Sequence, residues 1–232
     1  MMIFSFSFLN RWGHLFLYST LFFLFFVQIA TTHDPDFGWH LLIGQEIVST
    51  HAMPQPEHVL YPIQGVVWID HEWFSNALLF LAYSSGPYGD MFLYIFFALC
   101  GTGTLILIEY IATRWFIDTT KQQHPSTFLI LFFLQFFTAT ILLPFSGIRL
   151  QMLSWIFFLL LIFLVLFFLE KRKLRILWVI PFLLLLWANM HGSFFLGLLG
   201  YLASALTIAL FLLTSPQEKI HLFLVGVFAS LA

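Results

Sequence analysis

Cysteine and charge are both scarce in this chain. One cysteine, Cys100, stands among 232 residues, so no intrachain disulfide can form and no redox compartment is marked. Lys, Arg, Asp and Glu together make up 9% of the residues, and the net charge is −2, which gives no electrostatic footprint for nucleic acid. There is no internal repeat, no soluble domain and no nucleotide-binding glycine loop. What abounds is apolar surface. Hydrophobic residues make up 61% of the chain, including 32 Phe, more than a soluble domain of this length can bury. Phe and Leu are interchangeable as lipid-facing filler, so the phenylalanines say little about mechanism.

Apolar runs of roughly 20 residues separated by short polar breaks predict transmembrane helices. The fold class expected is all-α: one polytopic membrane domain over residues 1–232. The predicted spans are His14–Ala30, Tyr88–Ala112, Thr127–Leu143, Leu150–Leu169, Ile176–Ala188 and Phe194–Leu213. The first is too long and too aromatic for a signal peptide, and no small-residue cleavage site follows it. A seventh run begins at Leu222 and stops at Ala232. That length of helix rises only about 16 Å, half a bilayer core, so the chain is expected to be the N-terminal part of a longer protein.

Lys and Arg set the predicted orientation. Arg11, Arg114, Lys121, Lys171, Arg172, Lys173, Arg175 and Lys219 fall on one side if the spans alternate, and by the positive-inside rule that side is the cytoplasm. The expectation is an integral protein of the plasma or inner membrane, with the N-terminus cytoplasmic and the loop 31–75 extracytoplasmic. Arg149 is the one cation left on the outer face.

The 31–75 loop has no Lys or Arg but holds Asp34, Asp36, Glu46, Glu57, Asp70 and Glu72, together with His33, His40, His51, His58 and His71. Loops of this length are functional or disordered, and two amphipathic patterns argue for order. In "DFGWHLLIGQEIVSTH" the helical spacing picks out Phe37, Leu41, Gly44 and Val48. "DHEWFSNALLFLAY" reads as an interfacial helix with Asp70 as N-cap. Between them, "MPQPEHVLYPIQGVVWI" is expected to be extended, with a turn near Gln64-Gly65.

Four constellations are predicted to meet near the outer interface. They are Asp34-Pro35-Asp36 with Trp39 and His40 following, Asp70-His71-Glu72 between Trp68 and Trp73, Arg149 in "SGIRLQM", and Asn189-Met190-His191-Gly192. Each has an ordinary reading. The acids serve as solvated loop residues or helix caps, the tryptophans as interfacial anchors, and His191 as a satisfied polar group in a tight turn. Arg149 resists such a reading, because a lone cation beside an anionic loop calls for a partner. Together they supply a different chemistry. A carboxylate at the membrane surface acts as general base on an acceptor hydroxyl. An arginine at the same depth grips a phosphate and stabilises it as a leaving group, and aromatics stack on a sugar face. The Asp, His and Glu groups are an alternative set of ligands for a divalent metal, Mg or Mn, although no pair has a spacing that identifies a metal site.

"DPDFGWHLLIGQEIV", "WIDHEWFSNALL", "IRLQMLSW" and "LWANMHGSFFLGLL" together resemble bacterial membrane proteins related to the GT-C glycosyltransferases, which are similar in turn to the dolichyl-phosphate-mannose protein mannosyltransferases. The resemblance implies transfer of a sugar from a polyprenyl- or dolichyl-phosphate donor to an acceptor on the extracytoplasmic face. It implies Asp34 or Asp36 as general base, since the family's Asp-Glu pair is Asp-Pro-Asp here. It places Asp70 and Glu72 in the second part of the outer loop, where some members carry metal-associated acids, with Arg149 and His191 lining the donor cavity. His40, Trp39, His71 and Asn189 complete the expected substrate-binding set. Expected partners are membrane lipid and the lipid-phosphate-linked sugar.

Two alternatives stand beside this one. The first is a non-enzymatic or decayed membrane protein acting as a scaffold. The second is a transporter, which the absence of mid-span charge disfavours, because the two acids placed inside a predicted span, Asp90 and Glu109, each sit close to an end.

Overall fold

In a computed structural model of the chain, residues 6–32, 34–53, 65, 69–116 and 125–213 are described. Among them all regular structure is helical: α1 Phe6–Thr31, α2 Phe37–Thr50, α3 Trp73–Tyr83, α4 Gly89–Trp115, α5 Pro125–Leu142, α6 Gln151–Lys171, α7 Val179–Ala188 and α8 Phe194–Leu213. Short 3₁₀ turns at Leu143–Phe145 and Leu174–Ile176 join α5 to α6 and α6 to α7. The stretches Trp12–Thr31, Gly89–Trp115 and Gln151–Lys171 are long and apolar enough to cross a membrane, with shorter apolar helices over Trp73–Tyr83, Leu129–Phe145, Val179–Ala188 and Phe194–Thr207. The described residues are thus all-helical, with three helices of the length and apolarity of membrane spans. The seventh span, the segment 54–64 expected to be extended, Trp68, and the side chains of Arg11, Lys121 and Lys219 lie outside what is described.

The core forms along one stripe of α1. Leu17, Leu21, Phe25 and Ile29 recur every four residues and are buried in one cluster with Leu93, Phe97 and Leu105 of α4, the helix α1 packs along, and with Met152 and Leu153 of α6. The opposite face of α1 leaves Phe16 and Phe23 exposed, as a lipid-facing surface does. Lipid tails are as apolar as the helix faces, so the helices gain by close packing instead of by escaping water. Gly101 provides it: a Cβ there would lie 2.6 Å from the Phe25 ring.

A buried carboxylate also holds this layer. Glu109 of α4 accepts from the Tyr18 hydroxyl at 2.9 Å and from the Gln135 amide at 2.9 Å, and pairs with His14 Nε2 at 3.0 Å. One side chain therefore joins α1, α4 and α5. Glu109→Leu would leave three polar groups without this acceptor. At the ~0.6 kcal/mol typical of interhelical hydrogen bonds in membranes, we expect a loss of about 2 kcal/mol. Glu109→Gln, which still accepts from Tyr18 and Gln135 and offers an N–H to His14, is expected to lose less than half of that. Thermal unfolding in detergent separates the two variants, and equal melting temperatures would refute the clamp.

At the far end of α4, Arg114 donates twice to Glu170 of α6, at 2.9 and 2.8 Å, and lies 5.0 Å from the Trp115 ring centroid. The ends of α4 and α6 that carry these cations therefore share one face of the fold.

The loop between the first two long helices is where the structure departs from periodicity. α2 buries His40, Ile43, Gly44 and Ile47, while Phe37 and Leu41 of the predicted spacing pack half-buried against the core, so the inward face is wider than the spacing Phe37, Leu41, Gly44 and Val48. The added member is His40, a polar residue that hydrophobic spacing leaves out. It turns inward because its ring bonds the buried Asn76 of α3. α2 packs along α3 so closely that a methyl group at Gly44 would collide with the Asn76 carbonyl oxygen. Asp70 is not the N-cap of α3. The helix begins at Trp73 with Glu72 at the cap position and no side-chain cap bond. Asp70 instead turns into the loop as an Asx turn, accepting the Glu72 N–H at 2.9 Å on Oδ1.

Candidate functional site

The Asp34 side chain, 7% exposed, stands at the exit of α1. Its Oδ2 lies 3.1 Å from Nε of Arg149, just before α6. Arg149 thus has the partner its position demanded. The contact is ionic and not a well-aligned hydrogen bond, because the buried Nε–H is left without an acceptor in line with it. The other Asp34 oxygen accepts the Asp36 N–H at 3.1 Å. Asp36 itself is exposed and makes no side-chain bond to the helix it precedes.

Four residues on from Asp36, His40 occupies the first turn of α2. Its Nδ1 lies 2.8 Å from Asn76 Oδ1, and the Asn76 amide donates to Asp70 Oδ2 at 2.9 Å. A carboxylate can only accept here, so Asn76 must present its carbonyl to His40. Nδ1 of His40 therefore carries a proton and donates it to Asn76. Burial lifts the Asp70 carboxyl above its ordinary value, offset in part by the Glu72 N–H and the Asn76 amide.

Glu72 is the hub. Its oxygens lie 3.9 Å from His40 Nδ1, 3.6 Å from His71 Nε2 and 3.7 Å from His191 Nε2, and the Gly192 N–H donates to Oε1 at 3.2 Å. A Cβ at Gly192 would sit 2.7 Å from His71 Nε2, so any other residue there would push that exposed ring away from its present place. At His191, Nδ1 is instead the acceptor. The Ser193 backbone N–H donates to its Nδ1 at 3.2 Å, which puts the ring proton on Nε2, facing Glu72. The Ser193 and Ser154 hydroxyls also lie on Nδ1, at 2.7 and 3.1 Å, and Trp187 donates to Ser154 at 2.9 Å. Trp73 donates to Asn189 Oδ1 at 2.7 Å, tying α3 to the α7–α8 turn, while Trp39 lies with its ring centroid 5.9 Å from that of His40.

These contacts close a ring. From Asp36 to His40, and from Arg149 to Ser154, the steps are four and five residues, about 6 and 8 Å of helix rise. The remaining links are the Asp34–Arg149 ion pair, the Asp36 N–H on Asp34, and the His40–Glu72–His191–Ser154 contacts. All four sequence constellations therefore meet in one place. Beside them, Ser75, Leu79, Leu93, Phe97, Leu150 and Met190 line part of an apolar cavity of about 500 Å³ between α3, α4 and α6. Asn76, Ser154, Ser193 and Trp187 also belong to the site, although periodicity did not select them. An Asn buried within the apolar "WFSNALL" was the available signal for the first.

Among the described residues no group of three His, Cys, Asp or Glu is placed as metal ligands. Glu72 and its imidazoles stand 3.6–3.9 Å apart, held by serine, asparagine and backbone partners. The Mg or Mn alternative finds no assembled ligand set.

Burial, more than any neighbouring charge, lowers the basicity of His191, with Glu72 opposing and His71 and His40 assisting. Its folded value lies below the ordinary 6.5. Acidification therefore protonates the unfolded state first, and stability falls as pH drops through that value toward the folded one. Asp70 acts oppositely, since its raised value adds stability at acid pH that is lost as pH rises through it. We expect melting temperatures to fall between about pH 7 and pH 5, and His191→Gln to flatten that slope. A wild-type slope unchanged in the variant would place the titration elsewhere. Neither family models, curated proteins nor solved structures match this chain.

Proposed function

We propose that the chain carries the site of a GT-C-type glycosyltransferase, moving a sugar from a polyprenyl- or dolichyl-phosphate donor to an acceptor at the extracytoplasmic face. The observation that supports this most is the Asp34–Arg149 pair at 3.1 Å, one or two helical turns from a carboxylate–imidazole hub and near an apolar cavity. Arg149 has five donor hydrogens in a fork that suits a phosphate, and its Nε–H is still unsatisfied. Asp34 is acceptor-only when ionised and keeps lone pairs beyond those facing Arg149 and the Asp36 N–H, so it can take a proton from an acceptor hydroxyl. The cavity suits the first part of an isoprenoid chain, with Ser75 and Met190 on its site-facing side. His71 is exposed and Trp39 lies half-buried beside His40; a sugar would lie against these two.

The test is release of polyprenyl phosphate by protein reconstituted in vesicles with synthetic lipid-phosphate sugars, comparing wild type with Asp34→Asn/Asp36→Asn. Release that the double variant abolishes supports the reading. Equal release by both, or none by the wild type with any hexose donor, would leave the scaffold reading as the better account.

A further inference from the structure

At the opposite end of α6 from Arg149, one loop concentrates positive charge. Lys171, Arg172, Lys173 and Arg175 are all exposed. The carboxylate beside them, Glu170, is already taken up by two bonds from Arg114 and one from Lys171 at 2.6 Å. The geometry of the chain keeps the cations together. Arg172 caps α6 in the left-handed region, at φ 53°, with its N–H on the Phe168 carbonyl, and a 3₁₀ turn at Leu174–Ile176 then leads into α7. Just beyond the loop, Trp178, Phe182 and Leu185 are 73, 70 and 63% exposed. Their spacing of four and three residues puts them on one side of α7, an apolar stripe running away from the cations.

From this we infer that the 171–175 loop and the α7 stripe form a binding surface for anionic membrane phospholipid, with headgroup phosphate on the cations that Glu170 does not neutralise and acyl chain along Trp178, Phe182 and Leu185. Cations at a membrane surface attract anionic headgroups additively, and an exposed tryptophan settles at the same depth. Arg172 and Arg175 bring forked donors that match phosphate oxygens. This surface is separate from the sugar-transfer proposal and does not depend on it.

The experiment is native mass spectrometry of the full chain released from nanodiscs of phosphatidylcholine doped with phosphatidylglycerol. Retained anionic lipid is compared between wild type and Lys173→Gln/Arg175→Gln, which leaves the Arg114–Glu170–Lys171 contacts in place. We expect wild type to retain phosphatidylglycerol over phosphatidylcholine. The variant should lose affinity by about fivefold for each cation removed, roughly 25-fold together, and Lys173→Arg/Arg175→Lys should restore it. Three outcomes overturn the inference: no anionic preference in the wild type, an unchanged preference in the variant, or displacement of the lipid by inorganic phosphate at equal concentration, which marks a phosphate site. If the variant fails to insert, the wild-type preference and its competition by phosphate still decide.

Discussion

Asp34→Asn is expected to lower sugar transfer by about 10²–10⁴-fold, the range that a positioned general base contributes, while Asp36→Asn stays close to wild type. The two aspartates are two residues apart and equivalent by sequence, but the fold treats them differently. Asp34 is buried, faces Arg149 and accepts the Asp36 N–H, so its carboxylate is fixed relative to any phosphate that the guanidinium grips. Asp36 is exposed, and its side chain makes no cap bond. Asparagine keeps the shape of Asp34 and one oxygen for the Asp36 N–H, but removes the proton acceptor. Initial rates on reconstituted protein, with melting temperature as a control for folding, decide the matter. Loss confined to Asp36→Asn would move the base by two residues, and full activity in both variants would end the assignment of either.

The helices were legible because their signals are local and strong. Apolar runs predicted α4, α5, α6, α7 and α8 within a few residues, and the end of α1, whose start at Phe6 lies eight residues before the predicted His14. The two loop helices also formed where the spacing placed them, over Phe37–Thr50 and Trp73–Tyr83. The inward face of α2 was legible in Phe37, Leu41 and Gly44 but not in His40, because a hydrophobic pattern cannot anticipate that this ring is drawn in by Asn76, thirty-six residues away. The same limit explains Asp70. Next to an apolar helix it looks like a cap, yet its real partners are the Glu72 N–H and the Asn76 amide.

The candidate site was legible as a set of residue types and topological positions but not as contacts. Arg149 could be recognised as lacking a partner from the distribution of charge alone. That its partner is Asp34, and not one of the other acids of the loop, depends on how the end of α1 meets the start of α6. Glu72 shows the converse. By sequence it is one acid in a first helical turn, whereas folding sets three imidazoles and the Gly192 N–H around it. The opposite roles of Nδ1 at His40 and His191 follow from obligate donors and acceptors that only three-dimensional neighbours supply.

The ion pair allows structure and catalysis to be measured separately. Arg149→Met is expected to lower stability by about 2–3 kcal/mol, somewhat below the 3–5 typical when one partner of a fully buried pair is removed, because the Arg149 side chain is 29% exposed and solvent screens part of the interaction. The cost arises from Asp34, whose charge is left in a site only 7% exposed without its counterion. Neutralising that charge as well, in Asp34→Asn/Arg149→Met, should recover at least about 1 kcal/mol, a coupling within the usual range for contacting residues. Thermal unfolding of the two single variants and the double variant in detergent gives the coupling, and additive losses would show that the 3.1 Å contact carries no energy. Transfer rates on the same proteins then separate the readings. If the pair only fastens α1 to α6, whatever activity Arg149→Met loses through instability returns in the double variant along with its melting temperature. If Asp34 takes the proton and Arg149 holds the phosphate, the double variant regains stability and remains inactive, because the interaction that removes the folding penalty is not the one that lowers the barrier.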